Sequence, residues 1–241
     1  MSTYHLAGIV PVAGQPLDFK MDWHDSLMPI APDYLAVERA VFECAWAGCE
    51  TIWIVANDDM TPLIRHRLGE WVQDPVWIGR RMDPYPSQTR KQIPIFYVPI
   101  RAKDMGRRDC LAWSVLHGAV TAFEVSARLS KWVIPRRNYV AFPYGVYDPE
   151  IIREHRKKIS SDKPFMLCYN GKTVQDGEYL GFTFDKDDFV KCRRKIREGT
   201  GQYNSKVMED GIYPREKLPK EERWSARYFS LDKIFKPVII D

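Results

Sequence analysis

The order of apolar runs along this chain predicts a three-layer α/β domain with a mixed, mainly parallel sheet. Two observations carry this. The first 75 residues read strand, helix, strand, helix, and the same alternation continues to about residue 160. A length of 241 residues with 45% hydrophobic and 28% charged side chains is enough for one large core, with or without an appendage.

Taken in order, "LAGIVPV" at 6–12 is a short apolar run ending near Gly14, read as a buried strand. "DYLAVERAVFECAWA" at 33–47 reads as a helix, capped by Asp33 and closed by Gly48. "TIWIVA" at 51–56 is β-branched and reads as a second strand. "TPLIRHRLGEWV" follows as a helix with Thr61 as its cap and Pro62 in the first turn. "IPIFYVP" is a third strand, and "GRRDCLAWSVLHGAVTAFEVSARL" is a long helical stretch. "NYVAFPY" is a fourth strand, and "DPEIIREHRKKI" a helix that Asp148 caps. Past residue 160, "PFMLCYNG" and "YLGFTFD" read as two strands, then "DDFVKCRRKIREG" as a short basic helix. The expected division is a main domain over 1–198 and a polar, Pro-punctuated extension over 199–241 packed on it.

No apolar run approaches a membrane span, and the N-terminus has no basic region followed by a long apolar stretch. No membrane partner and no secretory signal are expected. Five scattered cysteines without a C-x-x-C spacing indicate neither a zinc site nor a disulfide framework, and a reducing cytoplasm is the simple reading. The net charge is +4, but the excess is clustered in "IGRRMD", "IRAKDMGRRD", "IPRRNY", "REHRKKI" and "KCRRKIREG". Basic clusters with aromatic neighbours suit a polyanionic partner such as nucleic acid, and also occur as ordinary solvated surface.

Ligands of open α/β sheets bind beyond the carboxyl ends of the strands. Those ends carry "PVAGQPLDFKMDWHDSLMPI", "ANDDMTPLI", "RAKDMGRRDCLAWSVLHGA" and "FPYGVYDPEII". This ordered set resembles the sugar nucleotidyltransferases and the wider GT-A nucleotide-sugar fold group, over about residues 6–185. "PVAG" stands at the family's first turn, "HDSLMPI" at its Pro-Lys-x-Leu-x-Pro-Ile segment and "AGCETIWIV" at its second strand. The resemblance implies a Rossmann-type domain. It also implies nucleotide contacts at Pro11, Val12, Ala13, Gly14, Asp58, Asp59, Arg107, Arg108 and Asp109. The implied ligand is a nucleotide diphosphate sugar, a UDP-sugar foremost, with a divalent Mg or Mn ion.

The departures concern charge. The family's phosphate-loop Arg is absent from "GQPLDF", its segment Lys is replaced by Asp25, and its metal Asp falls on Tyr144. Nucleotidyl transfer gathers several negative charges and needs cations to neutralise them. Transfer from a nucleotide diphosphate sugar gathers fewer, so the departures favour a glycosyltransferase. A hydroxyl acceptor is expected, including hydroxymethylated bases in DNA as in certain viral enzymes, which would place the chain in a host cytoplasm. A sugar-1-phosphate nucleotidyltransferase and a non-catalytic binding protein of the same fold stand as alternatives. Asp22, His24 and Asp25 form a polar cluster in the loop over the expected pocket and supply candidates for a catalytic base. Asp148 and the late carboxylate Asp232 are the candidate metal ligands, and Asp58 with Asp59 form an adjacent pair that suits Mg²⁺ or Mn²⁺. Helix capping is the competing role for Asp59, Asp109 and Asp148.

Overall fold

A computed structural model describes residues 5–14, 23–78, 91–104, 108, 110–210 and 228–238, the side chains of 203 and 206–210 excepted. Its eight strands are β1 (Leu6–Pro11), β2 (Pro29–Ala31), β3 (Tyr34–Leu35), β4 (Thr51–Ala56), β5 (Trp71–Gln73), β6 (Gln92–Pro99), β7 (Arg137–Val140) and β8 (Phe182–Phe184). Its helices are α1 (Ala36–Ala47), α2 (Thr61–Leu68), α3 (Pro75–Ile78), α4 (Leu111–Leu129), α5 (Ile152–Ile159), α6 (Lys186–Asp210) and α7 (Leu231–Phe235).

Six strands form one sheet in the order β5-β6-β4-β1-β7-β8. The inner four, β6-β4-β1-β7, are parallel, and the two edge strands run antiparallel. The mainly parallel α/β fold is therefore as expected. Chain order across the inner strands is third, second, first, fourth, so the winding reverses between β1 and β7. That reversal is a topological switch point, where open α/β sheets leave a crevice at the strand carboxyl ends.

Period-two alternation builds a core on each face of the sheet. Ala7 and Ile9 of β1, Trp53 and Val55 of β4 and Val98 of β6 join one core with α4, α6 and α7. Leu6, Val10, Ile52, Ile54 and Ile95 face the other, beneath α1 and α5. Strands covered on both sides read as near-continuous apolar runs, which is why "LAGIVP" and "TIWIVA" were plain in the sequence.

Several boundaries differ from expectation. The first helix begins at Ala36, not Asp33, because Asp33 has a φ of 56° and closes the β2–β3 hairpin. Its first turn is held by Glu38, whose carboxylate accepts the Leu35 N–H at 2.7 Å. The second helix stops at Leu68, before Gly69 with its φ of 73°, and Trp71–Gln73 turns back as the edge strand β5. The long helical stretch begins at Leu111, and the fourth strand ends at Val140. Of the two strands expected after residue 160, only β8 forms, with residues 165–167 beside it through Thr183 N–H to Phe165 O and Leu167 N–H to Gly181 O, both 2.8 Å. The expected boundary at 198/199 falls inside α6, which runs unbroken from Lys186 to Asp210.

Candidate site at the strand carboxyl ends

The chain leaving β1 is fixed before it reaches any ligand. Val12 and Ala13 both donate their N–H groups to Val55 O, at 2.8 and 3.0 Å, and Pro11 has none to give. Gly14 then turns the chain with a φ of 97°, a conformation that favours glycine. Pro11, Val12 and Ala13 are thus buried loop scaffold, and their N–H groups do not form a phosphate nest.

His24 locks this loop from above. Its Nε2 is 3.1 Å from Gly14 O, which only accepts, so Nε2 carries the proton. Its Nδ1 accepts the Ser26 N–H at 3.2 Å and stands 2.9 Å from the Ser26 hydroxyl. The imidazole is buried, and both ring nitrogens are engaged with loop residues. This geometry makes His24 a positioning residue for the loop rather than a base facing a substrate.

Asp25 follows directly after His24. It is buried in a 3-10 turn, Asp25–Leu27, that packs on α1. Its charge is felt by Tyr144, beyond the carboxyl end of β7: burial first, then Asp25, then Tyr179, push the Tyr144 hydroxyl well above its ordinary pKa. Tyr144 donates to Val12 O at 3.4 Å and packs edge-on against Tyr179, with 5.6 Å between ring centroids. The β1 loop, the Asp25 turn and the segment after β7 therefore meet at the switch point. Asp22, third of the expected trio, lies outside the described residues.

Behind this wall lies a buried polar network. Glu43 accepts from Tyr139 and Tyr147, both at 2.6 Å, and from Arg39 at 2.7 Å. Arg39 also donates to Phe142 O and covers the Tyr147 ring at 4.5 Å. The network ties α1 to the chain leaving β7. Its sequence signal was an Arg and a Glu four apart on the apolar face of a helix, with Tyr139 and Tyr147 among the three Tyr of "NYVAFPYGVY".

The carboxyl ends of β4 and β6 differ. Asp58 and Asp59 are exposed on the turn before α2. Neither caps that helix; Thr61 N–H and its hydroxyl both bond Asn57 O at 3.0 Å. Arg108 lies 3.5 Å from the buried Asp104 and covers Trp113 at 5.0 Å. Arg107 and Asp109 lie outside the described residues. Three buried atoms here have no hydrogen-bond partner among the described residues: Asn57 Oδ1, Asp104 Oδ2 and Trp113 Nε1. Nearby, His117 Nε2 donates to Pro99 O at 3.1 Å, and burial lowers the His117 pKa below its ordinary value.

The two candidate metal carboxylates do not meet. Asp148 caps a turn, accepting the Glu150 N–H at 2.9 Å, next to α5 on the α1 face. Asp232 sits in the first turn of α7, whose Leu231, Ile234 and Phe235 pack into the opposite core. Among the described residues no group of three or more His, Cys, Asp and Glu stands together as a cation site.

No family model matches the chain, and no curated protein matches its sequence. Solved structures of similar fold include a candidate glucose-1-phosphate thymidylyltransferase from Bacillus anthracis in complex with a sucrose, at 12% identity and TM-score 0.49, over 86% of this chain and 84% of that one. A UDP-glucose pyrophosphorylase complexed with UDP-glucose follows at 12% identity and TM-score 0.44, over 79% and 80%. A Mycobacterium tuberculosis H37Rv protein shares 12% identity at TM-score 0.44, over 89% and 87%. Likeness of this degree carries no information about chemistry.

Proposed function

We propose that this chain is a transferase that handles a nucleotide sugar, of the sugar-1-phosphate nucleotidyltransferase type. The observation behind this reading is the winding reversal between β1 and β7, with the buried Asp25 and Tyr144 on the two segments that come together there. The element order that carried the sequence resemblance leads to that place. Substrate would lie in the crevice, with Asp25 accepting a hydroxyl proton or ligating a cation. Arg101, Lys103 and Arg108, on the loop leaving β6, would meet phosphate charge from the same edge of the sheet.

A divalent ion in this site would draw on oxygen ligands. With Asp25 as its buried carboxylate ligand, the ion would rely otherwise on the phosphates of the nucleotide, as Mg²⁺ commonly does. It would neutralise phosphate charge in the transition state; Asp25 would hold it or orient the attacking group.

A second reading, glycosyl transfer to a hydroxyl acceptor, is favoured by one observation. The position at which the resembling family carries a Lys is here the buried carboxylate Asp25, which suits a base better than a phosphate contact. No described residue bears on DNA as the acceptor.

A turnover assay separates the readings. Nucleotidyl transfer predicts pyrophosphate release from a nucleoside triphosphate only when a sugar 1-phosphate is present. Glycosyl transfer predicts nucleoside diphosphate release from a nucleotide sugar and no reaction of the triphosphate. Absence of both, across uridine, thymidine and guanosine nucleotides with Mg²⁺ or Mn²⁺, would overturn the transferase reading.

A further inference from the structure

The two most exposed large apolar side chains among the described residues are Trp132, at 80%, and Leu129, at 71%. They stand three residues apart, where α4 ends and a 3-10 turn, Lys131–Val133, begins. Val133 is exposed beside them. The turn is ordered by its own bonds: Ser130 N–H reaches Ser126 O at 2.9 Å, and the Ser130 hydroxyl accepts the Trp132 N–H at 3.3 Å. A defined turn therefore holds an indole and a leucine in water, where burial would normally be favourable.

The same nine-residue span, 128–136, carries Arg128, Lys131 and Arg136, all exposed and none in an ion pair among the described residues. Between Glu124 and Asp148 the sequence contains no carboxylate. On adjoining elements Glu50 pairs with His5 at 2.9 Å and Asp185 with Arg137 at 3.5 Å. An apolar tip is thus flanked by three exposed cations, with Glu124, four residues before Arg128, the acidic residue closest to it in sequence.

We propose that this tip docks the protein reversibly on an acidic lipid surface. Tryptophan favours the headgroup level of a bilayer, leucine the acyl boundary just below it, and each nearby cation is drawn by anionic headgroups. No described helix is long and apolar enough to cross a membrane. Two features set lipid above other occupants. Surfaces for single strands of nucleic acid present successive aromatic platforms along a groove, whereas here one ring stands beside two aliphatic side chains. A second copy of the chain would bring the same cations face to face across a two-fold interface.

The patch lies at the amino ends of the strands. Arg136, next to β7, donates its N–H to His5 O, just before β1, at 3.0 Å. Docking through it leaves the switch-point crevice, at the carboxyl ends, turned away from the membrane. The inference does not depend on the reaction proposed above.

The test is sedimentation of the full chain with vesicles of phosphatidylcholine alone and of phosphatidylcholine mixed with phosphatidylserine. Binding to the mixed vesicles only, released by salt, is expected. Leu129→Ala with Trp132→Ala should remove it, as should the triple change Arg128→Glu, Lys131→Glu and Arg136→Glu. The triple change should weaken binding by at least about two orders of magnitude, since each cation lost removes roughly a fivefold factor and each Glu adds repulsion. Thermal midpoints should stay unchanged, because all five side chains are exposed. Equal sedimentation of wild type and variants, or none, would overturn the proposal. So would binding of an oligothymidine strand that the same variants lose, or a dimer that they dissociate.

Discussion

The carboxyl end of β7 and the carboxyl ends of β4 and β6 treat buried polar groups in opposite ways. Beyond β7, Glu43 accepts three hydrogen bonds from Arg39, Tyr139 and Tyr147, and a single atom of the network, Arg39 Nε, lacks a partner. Beyond β4 and β6, three buried atoms on Asn57, Asp104 and Trp113 have none among the described residues. A buried polar atom without a partner costs about 1–3 kcal/mol, so a cluster of them is retained only against a compensating gain. The first region is closed by its own hydrogen bonds, whereas the second keeps buried polar atoms unmatched among the described residues.

The largest expected effect lies in the scaffold. Glu43→Ala leaves a buried guanidinium and two phenols without their acceptor, and should lower stability by about 3–5 kcal/mol in urea unfolding. A loss below about 1 kcal/mol would show that the network is replaceable and blur the contrast. Next comes Gly181→Ala: a Cβ there would meet Tyr139 Oη and lie 2.6 Å from Glu43 Oε1. Overpacking at this point should cost about 1–3 kcal/mol by the same measurement.

Effects in the second region should be smaller. Asp104→Asn keeps the shape and removes a carboxylate whose second oxygen has no partner. Stability should change by less than about 1 kcal/mol in either direction, and a loss as large as that of Glu43→Ala would erase the distinction. His117 gives the smallest effect. Burial lowers its pKa from the ordinary 6.5, against a raising contribution from the Pro99 carbonyl. Between the folded and unfolded values the unfolded chain binds more protons. Stability from this group is therefore present above pH 6.5 and is lost as pH falls toward the folded value. Replacing His117 by Gln should flatten the stability curve below that pH, as read by urea unfolding on either side of it.

Much of this comparison was legible in the sequence. The inner strands were plain because apolar runs buried on both faces leave no doubt about their type, and the helices between them fixed parallel order. Edge elements were not: β5 is three residues, and β2 and β3 pair through a turn at Asp33 that composition assigns equally to a helix cap. Asp25 could be named from its place after β1, but the burial of Asp25 beside Tyr144 depends on the winding reversal between β1 and β7, which no local pattern carries. The reversal of roles at His24 has the same origin. A His between two carboxylates suggests a base, yet Gly14 O and Ser26 reach its two nitrogens only once the loop has folded. The partnerless atoms of Asn57, Asp104 and Trp113 are tertiary facts with no sequence signature.

The central claim is that the crevice at Asp25 binds a nucleotide sugar or its precursor triphosphate. The most direct measurement is thermal unfolding of the wild type, Asp25→Asn and Asp232→Asn against UDP-glucose, GDP-mannose, dTTP and UTP, each with and without Mn²⁺. One of these ligands, near 100 times its Kd, should stabilise the wild type by about 2.7 kcal/mol. Asp25→Asn should lose that shift and Asp232→Asn, on the other face of the sheet, should keep it. Equal stabilisation of wild type and Asp25→Asn, or none by any ligand, would contradict the account.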